Sequence, residues 1–187
     1  MTTVGFENFL SHAGKLEGGK LPPVHLWNPP FCGDIDIRIA RNGSWYHEGT
    51  QIHREALVKL LSSILKREGD EYFLVSPVEK VRIRVEDVPF IVVGVTEEIS
   101  AEGLATLVFR TLTDDIVPLD GEHPLRVQTD AVSGEPRPYV LVRGGMEARI
   151  HRPVFYELVE RGSEKIIDGT LHHAIVSAGE VFSLGRL

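Results

Sequence analysis

Asp34 and Asp36 stand two apart in the stretch CGDIDIRIARNGSWYHEGTQIHREAL, which runs from Cys32 to Leu57. Residues two apart on a strand share a face. Two carboxylates on one face can hold Mg²⁺ with several of its waters, as phosphoryl chemistry requires. With His47 across a tight turn, they are the residues an enzyme would use on a phosphorylated or nucleotide-like substrate. A plainer explanation competes: Asp34, Asp36 and Arg38 form the wet face of a half-buried strand, with Arg38 paired to Asp36.

Other candidate chemistry is weaker. Nucleotidyltransferases with such a carboxylate pair place a Gly-Ser helix mouth upstream, where this chain has PPVHLWNPPF. Cys32, His47, Glu48 and His53 contain no closely spaced pair to nucleate a zinc site, so no metal is expected. Cys32 lacks any nucleophile signature and reads as a small buried thiol. GKLEGGKL, from Gly14, nearly spells a phosphate-binding loop. Leu21 follows its lysine, where the Mg²⁺-binding Ser or Thr should be, and no strand precedes it. No cofactor motif remains.

One motif occurs twice. IHREALVKLL from Ile52 aligns without gaps to IHRPVFYELV from Ile150. Both open with Ile-His-Arg, and both follow a glycine turn and a short strand. Free N–H groups and the dipole at a helix start favour anions. A positive residue there opposes the dipole and calls for a reason. His53, Arg54, His151 and Arg152 are therefore candidates for one anion pocket between two repeated halves. Trp45 offers a ring that could stack on a planar ligand. The candidate ligand-binding set is Asp34, Asp36, Arg38, Trp45, His47, His53, Arg54, His151 and Arg152.

The elements that must position these residues follow from periodicity. Residues 1–33 form an arm with a short helix and then a Pro- and Gly-rich extended stretch. Residues 34–40 alternate as a strand, Asn42-Gly43 marks a hairpin with both residues at positive φ, and residues 44–48 return. An apolar stripe predicts a helix over residues 54–67, closed by Gly69. Strands are expected at 72–76, 80–85, 90–95, 105–112, 125–129, 139–143, 171–177 and 181–184, and a helix at 153–161. Lys80, Arg82 and Arg84 would form a positive stripe on a wet strand face. TEEISAEG, from Thr96, is the expected boundary, giving repeats over 34–100 and 101–187. The fold class is α+β, strand-rich, with a helix packed on a curved antiparallel sheet in each half.

Composition limits the function. The chain has 187 residues and one cysteine, so an internal disulfide is impossible and a reducing compartment fits. No signal peptide or membrane-spanning run is visible, and a cytoplasmic protein is expected. The net charge of -7 argues against general nucleic-acid binding. It does not exclude a local basic pocket.

The segment LWNPPFCGDIDIRIARNGSWYHEGTQIHREALVKLLSSILKREGDEYFLVSPVEKVRIRVEDVPF, from Leu26, resembles the bacterial domain of unknown function 1285 family. GDIDIRI, GSWYHEG and YFLVSPVEKV carry the likeness, which extends over most of the chain. The resemblance implies a duplicated α+β architecture with a second half loosely like a pleckstrin-homology barrel. It also implies a role in signalling or ligand binding, with no active site to carry over. The leading expectation is a non-enzymatic, regulatory protein that binds a small anionic or nucleotide-like ligand between its halves.

Overall fold

The alternation of residues 34–39 appears directly in the computed structural model, which describes residues 5–13 and 20–187. Residues 14–19 of the near-phosphate-loop GKLEGGKL lie outside the described residues. Ile37 and Ile39 are buried, while Asp34 and Asp36 are exposed. By internal contacts the chain divides into two units, Met1–Asp87 and Val88–Leu187.

The first unit begins with helix α1 (Phe6–Ala13) and a short 3₁₀ turn (Val24–Leu26). There follow strands β1 (Phe31–Ile39), β2 (Trp45–His47) and β3 (Thr50–Gln51), then helix α2 (Glu55–Ser63). Strands β4 (Leu65–Glu68), β5 (Glu71–Val75) and β6 (Lys80–Val85) close the unit. They form a six-stranded sheet ordered β3-β2-β1-β6-β5-β4. The sheet is mixed rather than purely antiparallel, because β1 and β6 run parallel. Its core includes Phe9, Ile37, Trp45, Leu61, Leu74 and Val81.

The second unit contains β7 (Phe90–Ile99), β8 (Ala105–Thr111), β9 (Ile116–Pro118), β10 (Leu125–Thr129), β11 (Pro136–Arg143) and β12 (Met146–Ile150). Helix α3 (Arg152–Arg161) leads into β13 (Ser163–Ile167), β14 (Thr170–Ser177) and β15 (Glu180–Arg186). One sheet is ordered β10-β11-β12-β7-β8-β9, with β12 and β7 parallel; β13-β14-β15 form another. In each unit a β-hairpin (β2–β3 in the first, β11–β12 in the second) leads into a helix and then a three-strand meander. The first meander joins its hairpin's sheet through β1 and β6, whereas the second stands as a separate sheet. This is a strand-rich α+β chain of two halves. The order of strands alone does not establish a pleckstrin-homology barrel.

Three expectations are corrected. The helix over 54–67 stops at Ser63, and Leu65 starts a strand opposite Leu74. The apolar residues at 60, 61, 64 and 65 fit a helix face, but pairing with β5 satisfies the backbone from Leu65 onward. Gly69, at φ 60, lies in the β4–β5 turn instead of closing a helix. Thr96 to Ile99 continue β7, where Glu97 pairs with Leu107, and the division of units falls before Val88. Those polar residues mark an exposed end of a hairpin. Asn42-Gly43 belongs to a three-residue loop, with Ala40 N–H bonded to Ser44 O at 2.8 Å and Gly43 N–H to Ala40 O at 2.9 Å. Only Gly43 of the two has positive φ, at 89°. That is a type I turn followed by a glycine bulge.

The loop is expected to be intolerant at Gly43. Gly43→Val forces a β-branched residue to positive φ and should cost about 1–3 kcal/mol, read as a lowered urea midpoint. In the second unit, Ser177 Oγ donates to Leu119 O at 2.6 Å and accepts from Leu107 N–H at 2.8 Å, fully buried. Ser177→Ala strands both main-chain groups and should cost about 1–3 kcal/mol in the same assay.

Candidate functional site

The outer face of β1 meets the outer face of β6 in an ionic ladder. Parallel pairing sets Asp34 beside Arg82 and Arg38 beside Arg84. Arg82 Nε and Nη2 donate to the two oxygens of Asp34 at 2.6 and 3.1 Å, and its Nη1 donates to Glu71 Oε1 at 2.7 Å. Arg84 Nη2 donates to Asp36 Oδ1 at 2.7 Å. Arg38 Nη1 reaches Glu86 Oε1 at 2.7 Å, and its guanidinium lies 4.3 Å from the centre of the Tyr46 ring. Lys80 Nζ binds Glu68 Oε2 at 2.8 Å and covers the Phe73 ring. The positive stripe Lys80, Arg82, Arg84 is therefore interleaved with acids from β1, β4 and β5.

The register of β1 against β6 slips twice, between Phe31 and Asp34 and between Asp34 and Arg38. Gly33 sits within the first slip at φ 112, a backbone state other residues rarely adopt. In the second slip β1 advances from Asp34 to Arg38 while β6 advances only from Arg82 to Arg84. The ladder opens there. A groove of about 510 Å³ lies at the opening, lined by Asp34, Ile35, Asp36, Arg82, Ile83 and Arg84. Arginines and aspartates supply charge at the rim, and Ile35, half-buried, supplies apolar surface; Ile83 is a core residue that borders the groove from below.

The arginines differ. Arg82 is held by two carboxylates and shares the space of the Phe31 ring at 5.5 Å. Arg84 is 69% exposed, and Asp36 is its one bonded partner among the described residues. A guanidinium carries five N–H donors, so Arg84 keeps donors facing solvent.

The other sequence candidates go elsewhere. Asp36 pairs with Arg84 and not with Arg38, because Arg38 extends to Glu86. His47 lies opposite Ile37 on the inner face and stacks on Phe6 with centroids 4.3 Å apart. It points to the opposite side of the sheet from Asp34 and Asp36, so the three are not brought together. Trp45 is 2% exposed and belongs to the core; it offers no stacking surface for a ligand. Its place opposite Ile39 fixes this, since cross-strand partners share a face.

His53 is exposed just before α2, and Arg54 is that helix's N-cap residue. His151 caps α3 with its own N–H bonded to Val92 O at 3.0 Å, and Arg152 binds Glu135 at 3.0 Å. Neither helix has a side-chain cap. The two corners belong to different units. Cys32 is half-buried and its thiol approaches Pro30 O at 3.4 Å. Among the described residues, no three His, Cys, Asp or Glu side chains gather as a metal site, and no helix is long and apolar enough to cross a membrane. Sequence reading missed Arg82 and Arg84 as site residues, along with Glu71. Their alternation with Lys80 was visible, but nothing local links them to aspartates 48 positions away.

The hydrogen bond from Arg82 holds the Asp34 carboxyl below its ordinary 3.8. Glu86 is held below 4.5 chiefly by the Arg41 N–H and then by Arg38, and Glu68 below 4.5 by Lys80. Folded-state values below the unfolded ones mean these contacts contribute fully above the unfolded values and are lost as pH falls through the lowered ones. Folding stability should therefore fall with pH below 4.5. Arg82→Gln should return Asp34 toward 3.8, read by carboxyl ¹³C NMR. An unmoved Asp34 titration would show that Arg82 is not the cause.

Two family models match the chain. Residues 22–88 match the N-terminal domain described as "Domain of unknown function (DUF1285)". Residues 89–184 match the C-terminal domain described as "Protein of unknown function (DUF1285)". No curated protein matches. A crystal structure of a DUF1285 family protein from Silicibacter pomeroyi DSS-3 is similar, at 46% identity and a TM-score of 0.83, over 96% of this chain and 95% of that one. Another, from Shewanella baltica OS155, is 27% identical with a TM-score of 0.52, over 66% of this chain and 90% of that one. With both family models matched end to end across the same two units that the fold displays, the chain belongs to the DUF1285 family.

Proposed function

We propose that this is a cytoplasmic, non-enzymatic binding protein with a regulatory role, whose first unit takes a small anionic, nucleotide-like ligand in the β1–β6 groove. One observation carries the reading: the break in the β1–β6 ladder opens a groove, with Ile35 half-buried in its lining, beside Arg84, a cation with donors to spare. Its volume falls in the range of about 300–1,000 Å³ typical of small-molecule sites. An anionic group bonds to Arg84 while a flat, less polar portion lies along the half-buried Ile35. Because the whole chain is negative, recruitment of an anion depends on this local guanidinium.

The alternative of an enzyme working through Asp34, Asp36 and His47 has less support. The aspartates are neutralised by arginines, and His47 faces the other side of the sheet. Arginine bonds occupy carboxylate oxygens that Mg²⁺ would need, and the Arg82 hydrogen bond lowers the basicity of Asp34.

Backbone amide NMR with AMP as probe tests the binding reading. Shifts are expected along β1 and β6 and should be absent with adenosine. Arg84→Gln should weaken AMP binding by about 1.5–3 kcal/mol, the worth of a charged hydrogen bond. That is roughly ten- to hundredfold. Shifts confined to other strands, or unchanged affinity in Arg84→Gln, would overturn the site.

A further inference from the structure

The geometry points to Asp36 as a built-in competitor for the ligand's anionic group, and hence to a phosphomonoester as the ligand class. This rests on the groove reading above. Asp36 and the proposed ligand both use the guanidinium of Arg84. Asp36 is attached through one bond at 2.7 Å, with both side chains more than half exposed. Its carboxylate can swing into water without being buried or losing its charge. Arg82 is different: Asp34 grips it through two bonds and Glu71 through a third, so three of its five N–H donors are engaged and two carboxylates hold it in place. The groove thus has one fixed arginine and one replaceable contact.

Competition sets a selection rule. A ligand carboxylate only exchanges one monoanion for another at Arg84. A phosphate brings roughly 1.5–2 negative charges and three acceptor oxygens, so it outcompetes a carboxylate. The opening in the ladder lies directly beside the contact to be displaced, which gives the incoming group room. Asp36 then acts as a threshold: weak anions fail to displace it and phosphomonoesters succeed.

The test titrates AMP, inorganic phosphate and acetate against wild type, Asp36→Asn, Asp70→Asn and Arg84→Gln, with circular dichroism confirming the fold. Asp70 is fully exposed, pairs with Arg67 and does not line the groove, so Asp70→Asn removes the same charge and reports long-range electrostatics alone. Asp36→Asn is expected to bind AMP and phosphate roughly two- to fivefold more tightly than Asp70→Asn does, the equivalent of one exposed ion pair. Asp36→Asn should also begin to bind acetate. Asp36→Ser should behave like Asp36→Asn. Equal affinities in Asp36→Asn and Asp70→Asn, with Arg84→Gln still impaired, would overturn the competitor role and leave the groove reading standing. No AMP or phosphate binding in wild type and in Asp36→Asn would overturn both.

Discussion

The parallel pairing of β1 with β6 is the constraint on which the first unit depends. β1 has nine residues and β6 has six, yet they are neighbours in the middle of the sheet. The longer strand must shed its excess length somewhere. Burying Ile37 and Ile39 fixes its far end in the core, and Gly33 permits the first irregularity. The remaining excess accumulates around Ile35 and Asp36. There the ladder opens on the face where the aspartates meet the arginines. A regular pairing of equal strands would leave a closed sheet with the same charges and no groove.

The ionic ladder does not hold the unit together. Exposed ion pairs contribute about 0–1 kcal/mol each, because solvent screens them and ordering two long side chains costs entropy. The opposite face of the sheet supplies the stability. There Ile37, Ile39, Trp45, Val81 and Ile83 are buried, and each large apolar side chain contributes about 1.5–3 kcal/mol. This division of labour leaves the charged face free to exchange partners. Arg82, clamped by two acids, keeps the face in shape; Arg84, held by one, is the group that can change partner at little cost to the fold.

The second unit uses the same succession of hairpin, helix and meander to another end. Its hairpin takes β7 as the parallel neighbour of β12, and the meander after α3 forms its own sheet. Arg152, the counterpart of Arg54 in the repeated motif, is tied to Glu135. The matching sequences are also capped differently, since Arg54 is the N-cap of α2 while His151 is the N-cap of α3 and Arg152 lies in its first turn.

Local periodicity was enough to locate β1, β6, β10 and α3, and to place Asp34, Asp36 and Arg38 on one wet face. Those patterns arise from the chain's own alternation and do not depend on what packs against it. The extent of α2 was not decided locally. Leu60, Leu61, Ile64 and Leu65 satisfy a helical stripe, and only β5 alongside turns Leu65 into a strand. The partners of the aspartates were likewise beyond local reading. Asp36, two residues from Arg38, is the natural match within one strand, but the arginines of β6 come from 48 positions away and sit closer across the ladder. The faces of His47 and Trp45 depended on the pairing register, since a shift of one residue would have reversed both. Tertiary structure also made the groove itself, because the mismatch between β1 and β6 exists only once the two strands lie side by side.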